Sequence, residues 1–92
     1  MNNMDAGKLK EIAKQAEEMG FQTRVKSDEY VQIRRWVDEY FVEIVYDINR
    51  VWAVGSPVFI STSSVNSDNL NTWKEFLDYI EKAIQIAEKL KE

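Results

Sequence analysis

Nineteen residues in the middle of the chain, YVQIRRWVDEYFVEIVYDI from Tyr30 to Ile48, alternate apolar and polar side chains on both sides of Asp38-Glu39. A period of two belongs to a β-strand, and two such runs meeting at a polar pair predict an antiparallel hairpin. Placing the turn at Asp38-Glu39 sets the register. Val37 then faces Tyr40, Arg35 faces Val42, Ile33 faces Ile44 and Val31 faces Tyr46, a set that shares one side and is apolar apart from Arg35. The other side pairs Trp36 with Phe41, Arg34 with Glu43, Gln32 with Val45 and Tyr30 with Asp47. Aromatic and opposite-charge pairs stabilise neighbouring strands, and a slip of one residue would turn the whole apolar set away from the core. Asp-Glu lacks the Gly or Asn that two-residue turns favour, which leaves a longer loop as the alternative.

The flanking segments read as a cover for one side of this hairpin. From Asp5 to Met19, Leu9, Ile12, Ala13, Ala16 and Met19 recur at spacings of three and four, one apolar stripe of a helix. Asn3 or Asp5 would cap its start. Gly20 would close its end in a left-handed conformation, with Phe21 folding back on Ala16. Phe21 to Lys26 alternates as a first strand. A short loop at Ser27-Asp28-Glu29 would pair Val25 with Val31 and Thr23 with Ile33, leaving Arg24 and Lys26 on the open side. Asn49-Arg50 suits a second tight turn, because Asn tolerates positive φ. Val51 to Val54 would return beside the third strand, and Gly55-Ser56-Pro57 interrupts it. Val58 to Thr62 either resumes that strand across a bulge, the expected outcome, or forms a strand segment of its own.

After a polar loop, Thr72-Trp73-Lys74-Glu75 has the pattern of a capping box; Ser67 or Asp68 would start the helix a turn earlier. The final helix runs to about Leu90, with Trp73, Phe76, Leu77, Ile80, Ala83, Ile84, Ala87 and Leu90 as its apolar stripe. The expectation is a single α+β domain over residues 1–92, an antiparallel meander of three to four strands with both helices on one face.

Several chemistries are excluded by composition. The chain has no cysteine and no histidine, so thiolate chemistry, zinc-thiolate sites and the commonest general base are all absent. Its three glycines form no phosphate-binding loop, and Ser61, Ser63 and Ser64 have no histidine to activate them. Asp28-Glu29 and Asp38-Glu39 would sit in turns at opposite ends of the meander rather than in one site. Glu43 and Asp47, two ladder positions apart, would suit a hard cation, but their expected cross-strand neighbours Arg34 and Tyr30 favour a surface pairing. No enzyme activity, cofactor or metal is expected.

The net charge of −4 is spread along the chain without an acidic tail or a basic arm, so direct nucleic-acid binding is not expected. No apolar run approaches the roughly 18 residues of a membrane span, and MNNMDAGKLK contains no apolar stretch like that of a signal peptide; a cytoplasmic protein is expected. The open side of the sheet would show Tyr30, Trp36, Phe41, Val45, Trp52 and Val54 among Arg24, Lys26 and Arg34. Tryptophan, tyrosine and arginine dominate binding hot spots, and an apolar patch of this kind is uncommon on a monomer; the alternatives are an interaction surface and rings that simply pack over neighbouring side chains.

The order helix, three strands, helix resembles the layout of double-stranded-RNA-binding domains. That family holds phosphates with a lysine cluster opening its last helix, whereas Asn71-Thr72-Trp73-Lys74-Glu75 offers one lysine, so the likeness is one of layout. In size, acidity, lack of catalytic motifs and helix–meander–helix plan, the whole chain also resembles small phage-encoded inhibitors of the anti-CRISPR type, without a diagnostic motif. That resemblance implies a protein partner, a basic nuclease or effector complex whose nucleic-acid access is blocked. Asp28, Glu29, Asp38, Glu39, Glu43 and Asp47 would then meet basic residues of the target, with Tyr30, Arg34, Trp36, Phe41 and Trp52 on the contact face. The alternatives are a homodimer that buries Trp36, Phe41 and Trp52 against its own copy, and a binder of single-stranded nucleic acid or anions using Arg24, Lys26, Arg34 and stacked rings.

Overall fold

The computed structural model describes residues 6–50, 56–65 and 69–91. The order is α1 (Ala6–Glu18), β1 (Gln22–Ser27), β2 (Tyr30–Val37), β3 (Tyr40–Asp47), β4 (Val58–Ser64) and α2 (Leu70–Lys91). The strands form one antiparallel sheet in the order β1-β2-β3-β4. α1 lies over β1 and β2, α2 over β3 and β4, and the helices also touch each other.

The central register is the one the alternation dictates, with all eight pairs from Tyr30↔Asp47 to Val37↔Tyr40 in place. The turn is two residues long. Asp38 meets its geometry by taking a positive φ of 50°, a conformation that Asp tolerates better than most side chains. The Asp38 carboxylate accepts a hydrogen bond from the Thr72 hydroxyl at 2.9 Å, which ties the turn to the start of α2. The first hairpin also pairs Thr23 with Ile33 and Val25 with Val31. Its turn is shorter than expected, because Ser27 pairs with Tyr30 across an irregularity after Val25.

α1 ends as its sequence requires. Gly20 has φ 99°, its amide donates to the Glu17 carbonyl and the Phe21 amide donates to the Ala16 carbonyl, both at 3.0 Å. This pair of bonds satisfies carbonyls that the last helical turn leaves open. Buried Phe21 folds back beside Ala16. The proposed N-terminal caps Asn3 and Asp5 lie outside the described residues.

Val58–Ser64 fills the outer row of β3 from Tyr40 to Tyr46 as the fourth strand; Val51 to Val54, the expected first part of that strand, lie outside the described residues. Two expectations need correction. α2 starts before Thr72. Asn69 is its cap, its side-chain oxygen accepting the Asn71 and Thr72 amides at 3.0 and 3.3 Å. Thr72 is buried and serves Asp38 instead. The buried face of α2 is Thr72, Phe76, Tyr79, Ala83, Ile86, Ala87 and Leu90, whereas Trp73, Leu77 and Ile84 are exposed. Tyr79 draws the helix round: its ring meets Phe21 edge-on at 5.4 Å and lies 4.6 Å from the Arg35 guanidinium.

One core unites the helices with Val31, Ile33, Val37, Tyr40, Val42, Ile44, Tyr46 and Val58 of the sheet. Arg35 is the one charge on that side of β2. Its Nη1 donates to the Gly20 carbonyl at 2.7 Å and its Nη2 lies 4.0 Å from Glu75, while the buried Nε has no partner among the described residues. Among the described residues no helix is long and apolar enough to cross a membrane.

Candidate protein-binding face

Both helices lie on one side, and among the described residues no helix covers the other side of the sheet. β2 presents Tyr30, Gln32, Arg34 and Trp36 there, and β3 presents Phe41, Glu43, Val45 and Asp47. β1 adds Gln22 and Arg24, and β4 adds Phe59, Ser61 and Ser63. Trp36 is 58% exposed and packs on Phe41 with ring centroids 4.6 Å apart. The two rings form the last cross-strand pair on this side before the Asp38-Glu39 turn. Aromatic rings and carboxylates therefore share one end of the sheet.

At the other end Lys26 sits 4.9 Å over the Tyr30 ring. The Asp28-Glu29 turn is bound to the end of β3: the Ile48 amide donates to the Glu29 carbonyl at 3.0 Å and the Asn49 side chain to the Glu29 carboxylate at 3.3 Å. The Asn49-Arg50 turn is held by Asp47, which accepts the Asn49 amide on its carboxylate at 3.0 Å and the Arg50 amide on its carbonyl at 3.1 Å. Buried Tyr46 lies near this end, and burial together with the Asp28 charge pushes its phenol above the usual value of 10.0.

The candidate acids thus divide. Asp38 and Glu39 occupy one end, Asp28, Glu29 and Asp47 the other, separated by the length of β2, roughly 25 Å at 3.3 Å per residue. Glu43 lies between them. It faces Arg34 in the ladder, as expected, yet accepts its hydrogen bond from Gln32 Nε2 at 3.2 Å. Arg24 and Arg34 make no hydrogen bond or ion pair among the described residues and rim a shallow hollow with Gln22 and Gln32. Asp47 has Arg50 at 3.8 Å, so it and Glu43 are each engaged separately rather than converging on a cation. Among the described residues no group of three carboxylates is placed to hold a metal.

Trp52 and Val54, expected on this face, lie outside the described residues. Phe59 was not among the residues singled out. The VFIST alternation places it once Val58 is known to face the core, and the interruption at Gly55-Ser56-Pro57 hid that phase. Compared with protein-family models, curated proteins and solved structures, the chain matches none of them.

Proposed function

We propose that this chain is a non-catalytic protein-binding module that works through the open face of its sheet. The observation that carries the reading is Trp36, more than half exposed and packed at a tilt on Phe41 beside the Asp38-Glu39 turn. A large ring held by a neighbour loses little freedom on binding and offers much apolar area, which is what a hot spot requires. The concrete version is a small phage-type inhibitor that acts in the host cytoplasm and blocks the nucleic-acid access of a nuclease or effector complex. The turn acids would meet basic groups of the target while the rings anchor the contact. Because the acids fall into two end clusters, the Asp38-Glu39 end, where the rings are, is the contact that fits.

The test is capture from host lysate at low and moderate salt, with wild-type protein and a Trp36→Ala/Phe41→Ala variant as baits. The expected result is a basic nuclease or effector complex held by the wild type and lost by the folded variant. Glu39→Lys should weaken that capture most at low salt. Asp38 is a poorer choice, because it holds Thr72 and a positive φ. Equal capture by both baits overturns the open-face reading. Salt-sensitive binding of single-stranded nucleic acid, lost on removing Arg24 and Arg34, would replace it with the nucleic-acid alternative. Dissociation of a homodimer by the Trp36/Phe41 substitutions would replace it with self-association through this face.

A further inference from the structure

The two edges of the sheet are built differently. β1 carries Arg24 and Lys26 and an irregularity after Val25, devices that discourage strand addition. β4, VFISTSS, has no charged residue, and among the described residues no strand lies beyond it. Its hydrogen-bonding phase follows from the bonds at its ends. The Asp47 amide donates to the Pro57 carbonyl and the Val65 amide to the Glu39 carbonyl. Odd-numbered residues of β4 therefore bond to β3, and the amides and carbonyls of Ile60, Thr62 and Ser64 point outward. None of those three has a hydrogen bond on that side among the described residues.

The helix above adds a second, independent feature. Leu70, Trp73, Leu77 and Ile84, spaced three, four and seven apart, are 62%, 41%, 41% and 47% exposed, with half-buried Ile80 in line. Such spacing makes one continuous stripe. The opposite flank of α2 faces α1, as the bond from Lys89 to Gln15 and the approach of Glu75 to Arg35 show. The stripe therefore faces away from α1, to the side where β4 ends the sheet.

We infer that the β4 edge and this flank of α2 together form a two-fold interface with a second copy of the chain. An axis normal to the sheet, just beyond β4, sets β4 antiparallel to its mate and keeps both α2 helices on the same side. With strands about 4.8 Å apart and α2 above β3 and β4, the two helices lie roughly 10–14 Å apart, at and somewhat beyond the roughly 8–10 Å of close helix packing, a gap for side chains as large as Trp73 and Leu77 to fill. The levels agree as well. Trp73 and Phe76 pack on Tyr40, which pairs with Ser64. Thr62, roughly 7 Å further along β4, then lies below the Leu77–Ile80 region at the middle of the stripe. Antiparallel helices centred there bring exposed Lys74 opposite the partner's Glu81.

The exposed fractions of those four side chains amount to on the order of 400 Å² per protomer at roughly 200 Å² for a large side chain. Strand pairing adds to this, toward the roughly 800 Å² per partner of a standard interface. A foreign strand would satisfy the edge and leave the helix stripe bare. A second copy supplies both parts in the matching arrangement, as an isologous interface requires. The open face stays free in this dimer, so the inference does not rest on the binding role proposed above.

The test is solution mass by light scattering across a concentration series, from about 1 to several hundred micromolar. The expected result is twice the mass of one chain at the upper end. Thr62→Pro removes an outward amide without touching the ladder to β3, and Leu77→Glu/Ile84→Glu alters only the helix flank. Each should give a folded monomer by circular dichroism that still captures the partner of the open face. A wild-type chain that stays monomeric throughout overturns the inference. So does a dimer that survives Leu77→Glu/Ile84→Glu, or one that separates on Trp36→Ala/Phe41→Ala.

Discussion

Replacing Gly20 with alanine probes the point where α1, β2 and α2 meet. The residue has φ 99°, and a Cβ there would stand 2.7 Å from the Tyr79 hydroxyl and 3.3 Å from Arg35 Nη1. Two costs follow. A left-handed conformation costs a residue with a Cβ about 1–2 kcal/mol. The overlap with Tyr79 adds about 1–3 kcal/mol, the usual range for overpacking. The ring has little room to yield, since Phe21, Arg35 and Lys82 all border it. The expected loss is about 2–5 kcal/mol. For a domain of this size each kcal/mol lowers Tm by about 4–8 °C, so a fall on the order of 10–30 °C is expected in thermal unfolding followed by circular dichroism. Tyr79→Phe in the same chain separates the two costs, because removing the hydroxyl relieves the overlap and leaves the φ penalty. The double variant should therefore be more stable than the sum of the single changes by about 1–2 kcal/mol. A Gly20→Ala loss below about 0.5 kcal/mol, or strict additivity with Tyr79→Phe, would refute the close approach.

Other expectations concern the helix cap, the alkaline limb and the exposed rings. Asn69→Ala removes the acceptor of two amides at the start of α2 and should cost about 1 kcal/mol in urea unfolding; a comparable loss from Ser67→Ala instead would move the cap. Tyr46 holds its proton more tightly when folded than when unfolded. Its contribution is therefore complete below about pH 10, the unfolded value, and is lost as the pH climbs from there through the raised native value. Tyr46→Phe should flatten the fall in stability above about pH 10, and Asp28→Asn should lessen it; parallel alkaline limbs for wild type and Tyr46→Phe would sink this. Trp36→Ala should cost no more than about 1.5 kcal/mol, the scale of an aromatic pair on an open sheet face, and a collapse of the fold would mean that the ring belongs to the core.

Much of the candidate face was legible because strand alternation is local. Once Val37 and Tyr40 close the turn, each residue of β2 and β3 has its side chosen, so Trp36, Phe41, Arg34 and Glu43 had to share the open one. Which of them would bond was not legible. Gln32 rather than Arg34 takes Glu43, since a strand register fixes neighbours within several ångströms and leaves the choice of partner to rotamers.

By itself the sequence determined α1, the first three strands, the central register, the Gly20 cap and the separation of the two acid pairs, all set by spacing along a few consecutive residues. Tertiary structure alone decided which flank of α2 is buried. Apolar residues cover more than half of that helix's circumference, so its periodicity admits several rotations. Contacts far apart in the chain, Tyr79 with Phe21 and Arg35 and Thr72 with Asp38, select the one that leaves Leu77 and Ile84 outside. The same holds for Arg35: no local rule accommodates a charge on the apolar side of β2, and only the Gly20 carbonyl and the Tyr79 ring, brought there by the two helices, give it a place.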